Sequence, residues 1–143
     1  MSKDELFRLE QAAWAPLHDL LHGLNPEAAD RPYTDLWTVK DGLAHIACWQ
    51  AEAAQMLLQM REGTYEGWED GHEEEINARF HEATRELPLD EVIASLHASR
   101  SRMLEELDRL PDDLLDDEAR SWFVESGHEH YEEHLEGLRA VLG

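Results

Sequence analysis

With 143 residues, the chain is long enough for one domain whose core needs neither disulfides nor a structural metal, and we expect a single domain spanning residues 1–143. Its 12 Lys and Arg residues are outnumbered by 33 Asp and Glu residues, and the formal net charge of -21 repels phosphate backbones and anionic lipid head groups, so neither nucleic acid nor a membrane is an expected partner. A single cysteine, Cys48, excludes an internal disulfide, and without a signal peptide at the start a cytoplasmic protein is expected.

Apolar residues recur at spacings of three and four, without the alternation typical of a strand, so the fold is predicted to be all-α. The first helix is predicted over about 3–24, with Leu9 and Leu17 among the residues that face the core. Thr38 can cap a second helix and Asp41 can answer from the third helical position. This second helix is predicted to end at about residue 61.

A shorter acidic helix is predicted over about 72–87, after an interruption that contains three glycines. The third long helix is predicted over about 90–110 and the last over about 127–142, with the intervening "PDDLLDDEARSWFVESG" as a link. Four amphipathic helices bury their apolar stripes as a four-helix bundle. The connection between the second and third helices is long enough to be a crossover, and it carries the short extra helix.

Two of the nine histidines, His130 and His134, are four residues apart in the predicted last helix. Successive helical residues advance by about 100°, so both side chains project from one face at a spacing that lets two ring nitrogens reach one ion. Helical phase puts His134 inside the apolar stripe and His130 at its edge, while His128 lies about 120° away and is excluded. His18 and His22 have the same spacing but are expected to look into solvent.

A third ligand must come from another helix, and His45 lies two turns into the second helix, at the margin of its apolar stripe. Three imidazoles from two helices can converge in the interior of a bundle. On the residues alone, a metal site and a set of ordinary core or surface histidines remain equally open. Cys48 is close to His45 in helical phase, but a small packed residue is the favoured interpretation.

Two stretches, "LWTVKDGLAHIACWQ" and "HEHYEEHLEGLRAVL", resemble the DinB/YfiT-like superfamily of metalloenzymes, and especially its branch of DfsB- and ClbS-type proteins. The intervening "INARFHEATRELPLDEVIASLHASRSRMLEELDRLPDDLL" looks similar to the same branch, so the resemblance covers most of the chain. Members of the superfamily are four-helix bundles in which one histidine of the second helix and a HxxxH pair of the last helix bind a divalent metal. The matching positions are His45, His130 and His134, the three that helical phase also selects.

The resemblance implies a divalent-metal-dependent enzyme, since relatives include thiol-dependent S-transferases, isomerases and hydrolases. Three neutral ligands leave the charge of the ion in place and a position open, which suits activation of a thiol or water for attack on a small electrophile, as in detoxification. Zinc or nickel is favoured, iron and copper also suit imidazole, and a low-molecular-weight thiol is a candidate cosubstrate. The alternatives are a metal-binding protein without turnover and a non-catalytic interaction bundle, for which a homodimer is one expected assembly.

Few other side chains are candidates for assisting such a site. Glu74, Glu75 and Asn77 lie on the acidic helix, which could fold over the open end of the bundle, but a solvated acidic run explains them equally well. Trp37 and Asp41 are assigned to packing and helix capping. No catalytic residue is named from the sequence.

Overall fold

A computed structural model describes residues 1–143 and has the predicted all-α fold. None of its helices combines the length and the apolar character that a membrane span requires. A 3-10 turn, Asp112–Leu114, lies between the fifth and sixth helices. The α-helices in chain order are α1 (Lys3–His22), α2 (Pro26–Ala29), α3 (Val39–Glu62), α4 (Glu73–Thr84), α5 (Leu89–Arg109), α6 (Asp117–Ser126) and α7 (His128–Leu142).

The bundle is formed by α1, α3, α5 and the consecutive pair α6 and α7. The helices α3 and α5 are parallel neighbours. Near the start of α3, Lys40 donates to the carbonyl oxygen of Leu87, just before α5, and near its end Arg61 pairs with Glu106 in the last turns of α5. Parallel neighbours require a connection that returns along the bundle. The segment between α3 and α5 does so and carries α4, which confirms the predicted crossover with its short extra helix.

The predicted link before the last helix contains a helix of its own, α6, so this part of the prediction is wrong. The side chain of Asp116 caps α6 by accepting from the backbone N–H of Ala119 at 2.9 Å, and Phe123 is fully buried. At Gly127, between α6 and α7, an added Cβ would lie 2.5 Å from the carbonyl oxygen of Phe123. The helical periodicity of α6 is hard to detect in the sequence because the helix is under three turns long and follows an acidic run.

The first helix buries a carboxylate where an apolar residue is expected. Leu9 is exposed, whereas its neighbour Glu10 is 0% exposed. The Glu10 carboxylate accepts two hydrogen bonds from Arg100, each 2.7 Å long, and one from the hydroxyl of Tyr131 at 2.9 Å. Gln50 in turn donates to the Tyr131 oxygen at 2.9 Å. Burial of this carboxylate is tolerated because Arg100 and Tyr131 satisfy it with hydrogen bonds. Arg100, Tyr131 and Gln50 each come from a different helix, so the network forms only when four helices pack together.

Candidate metal centre

The imidazoles of His45, on α3, and of His130 and His134, on α7, meet between these two helices. The Nε2 atom of His130 lies 3.0 Å from Nε2 of His45 and 3.1 Å from Nε2 of His134. All three candidate donor atoms lie within 4.8 Å of one another. Two nitrogens bound to one ion at about 2.0 to 2.1 Å, with bond angles of about 90 to 110°, lie about 2.9 to 3.4 Å apart. The donor type and the two measured Nε2–Nε2 distances therefore fit a divalent metal ion.

Burial keeps the three imidazoles neutral. Desolvation, followed by the charge of His134, lowers the pKa of His45 to about 4. Desolvation, followed by the charges of His134 and His45, lowers the pKa of His130 to about 3, and desolvation also lowers the pKa of His134. Near neutral pH each ring therefore has a lone pair available, as a metal ligand requires.

The depth of the two histidines on α7 differs from the prediction. His130 is buried, with 8% of its surface exposed, whereas His134 is half-buried. From the apolar stripe of α7 alone, helical phase predicts that His134 is buried more deeply than His130. The neighbouring helix α6, which the sequence pattern does not reveal, contacts α7 and adds to the burial near its start.

Tyr33, which no sequence motif singles out, holds His134. Its hydroxyl and Nδ1 of His134 are joined by a hydrogen bond of 2.7 Å. If Nε2 of His134 is a ligand, Nδ1 carries the proton and donates it to the tyrosine oxygen, which sets both the tautomer and the orientation of the ring. The Nδ1 atoms of His45 and His130 are buried without a protein hydrogen-bond partner. His134 is therefore the member of the cluster that a second side chain orients.

The position of Tyr33 depends on the loop between α2 and α3 and on two glycines. The backbone N–H of Tyr33 donates to the carbonyl oxygen of Trp37 at 2.8 Å, which closes the loop. The tyrosine ring packs between Gly42 of α3 and Gly137 of α7, where a Cβ on either glycine would lie 2.9 Å from a ring carbon. These glycines become a recognisable signal only once α3 and α7 are known to be neighbours.

The start of α3 has the predicted capping box. The N–H of Asp41 donates to the Thr38 hydroxyl at 3.2 Å, and the N–H of Thr38 donates to the Asp41 carboxylate at 3.0 Å. Asp41 also lies 3.3 Å from Nε2 of His81, and the Trp37 ring packs 4.7 Å from the ring of His45 between centroids. The assignment of Trp37 and Asp41 to packing and capping is confirmed, and together they position the helix that carries His45.

A cavity of about 460 Å³ adjoins the cluster, and His45 and His130 form part of its wall. Among the weak candidates on α4, Asn77 lies in this wall and accepts a hydrogen bond of 2.7 Å from Nε1 of Trp49. Glu74 and Glu75 are exposed and lie outside it. The acidic segment thus does fold over the site, but through other residues than its two central carboxylates.

The other candidate ligands lie outside the cluster. His22 is exposed as predicted, but His18 is half-buried and stacks on Trp14 at 5.9 Å between ring centroids. His128 does not join the cluster, in agreement with its helical phase. Cys48 is half-buried, and desolvation followed by the charge of Glu52 raises the pKa of its thiol to about 11.

The chain matches a family model described as the DinB superfamily over residues 10–138. The chain belongs to the DinB superfamily. The predicted family is thereby confirmed, and a helical bundle is the fold of DinB-like proteins. No curated protein and no solved structure matches the chain. The DinB match includes His45, His130 and His134, whereas the placement in the DfsB and ClbS branch stays a prediction.

Proposed function

We propose that the protein is a divalent-metal-dependent enzyme in which His45, His130 and His134 hold the ion, and that it acts on a small electrophile rather than on nucleic acid or a membrane. The observation that carries the proposal is the convergence of three neutral imidazoles at the wall of a cavity. Three protein ligands with space beside them are typical of catalytic sites, whereas structural sites use four. When bound, the ion would lower the pKa of a water molecule or thiol and so supply a nucleophile near neutral pH.

The chain's own residues supply the rest of the arrangement. Burial keeps His45 and His130 neutral, and Tyr33 keeps the proton of His134 on Nδ1, so that Nε2 of His134 is free to bind. Trp49 lines the cavity together with His45, and its indole donates a hydrogen bond to Asn77. A cavity of about 460 Å³ has the size of a small-molecule site.

Two reactions fit this arrangement. In S-transfer, the sulfur of a low-molecular-weight thiol forms a bond to an electrophilic carbon, the leaving group departs with the bonding electrons, and the thiol proton passes to solvent. In hydrolysis, a water oxygen forms a bond to the electrophilic carbon, the leaving group departs with the electrons of the broken bond, and the water proton passes to solvent or to the leaving group. Cys48 does not serve as the nucleophile, because it lies outside the cavity wall and its pKa of about 11 keeps the thiol protonated. Imidazole ligands suit zinc, nickel, iron and copper, and zinc or nickel is the ion proposed here.

Elemental analysis tests the metal site. Protein purified without a His tag is loaded with Zn²⁺ or Ni²⁺ and dialysed, and we expect about one ion per chain in the wild type and loss of most of it in His134→Ala. His18→Ala and His22→Ala are matched controls, because this pair has the same helical spacing on α1 but lies outside the cluster. Equal metal retention by His134→Ala and the wild type would refute the site.

Turnover is tested separately on the metal-loaded protein. Transfer of 2-mercaptoethanol to 1-chloro-2,4-dinitrobenzene measures the S-transferase reaction, and p-nitrophenyl acetate measures hydrolysis. We expect a rate above background in one assay that is lost in His134→Ala. Retained metal without turnover in either assay would favour the metal-binding protein without catalysis. A wild type that retains no metal would favour the interaction bundle and its homodimer.

A further inference from the structure

The cavity beside the histidine cluster has an aromatic wall. Trp49, Trp68 and Trp122 line it, one each from α3, the loop before α4, and α6. The rings of Trp68 and Trp122 are 4.9 Å apart at an interplanar angle of 89°, and those of Trp49 and Trp68 are 6.0 Å apart at 69°. At these distances the indoles contact one another edge to face, so the three rings form a continuous aromatic surface on one side of the cavity.

The polar ends of two of these indoles are already engaged with the protein. Nε1 of Trp49 donates to Asn77 at 2.7 Å. Nε1 of Trp122 donates to the hydroxyl oxygen of Tyr65 at 3.2 Å, and that hydroxyl donates to Glu118 at 2.5 Å. Because these N–H groups are occupied, Trp49 and Trp122 offer an incoming molecule the surface of their rings and not a hydrogen-bond donor.

The same wall carries only one sign of ionic charge. Its carboxylates are Asp70, Glu73, Glu118 and Glu125, and no lysine or arginine lines it. Four carboxylates exceed the two charges of a divalent ion, so the wall remains negative with a metal at the histidines. The net charge of -21 on the whole chain adds to the same field. An anionic occupant is therefore repelled and a cation attracted.

We propose that this cavity binds a small organic cation, a quaternary ammonium group or a protonated amine, among its three tryptophans. The ring faces attract the cation through their quadrupoles, and the carboxylates stabilise it by Coulomb attraction. His45 and His130 are part of the same wall, so a molecule held by its cationic end presents its other end to the cluster. That this molecule is the substrate rests on the proposed function; the binding of the cation does not.

Choline and its uncharged carbon isostere 3,3-dimethylbutan-1-ol test the charge requirement. The two molecules share size, shape and hydroxyl group, and differ in the positive charge. Titration of the full chain, metal-free and zinc-loaded, is followed by calorimetry and by tryptophan fluorescence. We expect choline to bind at least about ten-fold more tightly than the isostere in both forms, and less tightly at high salt, because both attractions act on the charge.

Two variants test the location. Glu125→Gln removes a carboxylate of the wall, and Glu129→Gln removes an exposed one outside it, with the same change in net charge. We expect Glu125→Gln to weaken choline binding about three-fold and Glu129→Gln to leave it unchanged, since only the former lies close to the cation. Trp68→Leu is expected to weaken binding about five-fold through loss of one ring face. The Glu125→Gln result stands even if Trp68→Leu does not fold.

Three outcomes would overturn the proposal. The first is no choline binding at about 50 mM, a concentration above the millimolar dissociation constant of a weak site. The others are equal affinity for choline and its isostere, and equal choline affinity in Glu125→Gln and Glu129→Gln. Failure here and failure of the metal site are separate results. Retained zinc without choline binding would overturn the cation site alone. Choline binding by His134→Ala that has lost its metal would support the cation site while the metal-dependent function failed.

Discussion

At the residue scale, His134 differs from His45 and His130 because both of its ring nitrogens have partners. Nε2 lies in the cluster and Nδ1 is bonded to Tyr33. A side chain that orients a ligand reduces the freedom the ligand loses on binding and raises its basicity. Tyr33 is thus the residue through which metal affinity can be altered without removing a ligand.

We expect Tyr33→Phe to weaken zinc affinity about ten-fold while the ion still binds, the lower end of the range found when a ligand's hydrogen-bond partner is removed. Competition with a chromophoric chelator measures the change. Tyr65→Phe is the control, because the Tyr65 hydroxyl contacts Glu118 and Trp122 instead of a histidine. Unchanged affinity in Tyr33→Phe would show that the hydrogen bond does not act on the ligand.

Cys48 provides a second prediction at this scale. Because burial and Glu52 raise the pKa of its thiol to about 11, the reactive thiolate is scarce at pH 8. We expect alkylation by iodoacetamide at pH 8 to be about two orders of magnitude slower in the folded protein than in urea, and to accelerate as the pH rises toward 11. Equal rates in the folded and unfolded protein would contradict the burial of this thiol.

At the element scale, α3 and α7 approach each other where each has a glycine. Gly42 and Gly137 leave the space that the ring of Tyr33 occupies, and this contact joins the loop before α3 to α7. The histidine cluster therefore depends on how closely α3 and α7 pack around the loop that carries Tyr33. A methyl group added at either glycine would displace the Tyr33 ring, and so affect the cluster without contacting any of the three histidines.

Gly137→Ala is expected to have opposite effects on the helix and on the site. Alanine favours the helix by about 1 kcal/mol relative to glycine, but its Cβ at 2.9 Å from the Tyr33 ring displaces the hydroxyl from His134. We expect zinc affinity to fall about as much as in Tyr33→Phe, about ten-fold, and the double variant to show little further loss. Additive losses in this double-mutant cycle would mean that Gly137 acts on the site independently of Tyr33.

At the scale of the whole molecule, one buried polar network joins all four members of the bundle. Glu10 of α1 pairs with Arg100 of α5, Tyr131 of α7 donates to Glu10, and Gln50 of α3 donates to Tyr131. The Arg100 guanidinium also lies 4.6 Å from the centre of the Trp14 ring. A network of this kind specifies which helices are neighbours, because each member finds its partner only in one arrangement.

Arg100→Met tests the energetic role of this network. The substitution leaves the buried Glu10 charge without its cation, so we expect the free energy of unfolding to fall by about 3 to 5 kcal/mol in urea titrations. Arg109→Met, which removes the exposed ion pair with Glu105, is the matched control and should cost at most about 1 kcal/mol. Equal losses in the two variants would show that the Glu10 pair contributes no more than a surface pair.

The metal-free protein should also lose stability as the pH falls from 7 to 5. The folded pKa values of His45 and His130, about 4 and about 3, lie below the ordinary value of 6.5, so the unfolded chain binds more protons in this window. The stability present above pH 6.5 therefore declines on acidification, by about 1 to 2 kcal/mol for each group. Urea unfolding at pH 7 and pH 5 should show a smaller decline in the free energy of unfolding for His130→Gln than for the wild type. An equal decline would contradict the lowered pKa of His130.

Local patterns in the sequence predict the long helices and the three candidate ligands. Helical periodicity and capping depend on residues close along the chain, which is why α3 begins at Val39 after its Thr38 cap, and why His130 and His134 could be paired and His128 set aside. His45 followed from its position beside an apolar stripe and from the family resemblance. Helix periodicity, capping and the pairing of His130 with His134 are local features that need no neighbouring helix, whereas the choice of His45 does.

Which distant groups meet depends on how the helices pack. Burial of Glu10 in place of Leu9 depends on Arg100, some 90 residues away, and the contact of Tyr33 with His134 depends on two glycines that face each other only when α3 and α7 pack. The short helix α6 likewise owes its stability to the core around Phe123 more than to its own sequence. The tryptophan cavity assembles from three separate segments, because side chains far apart in sequence share a wall only after the bundle has formed.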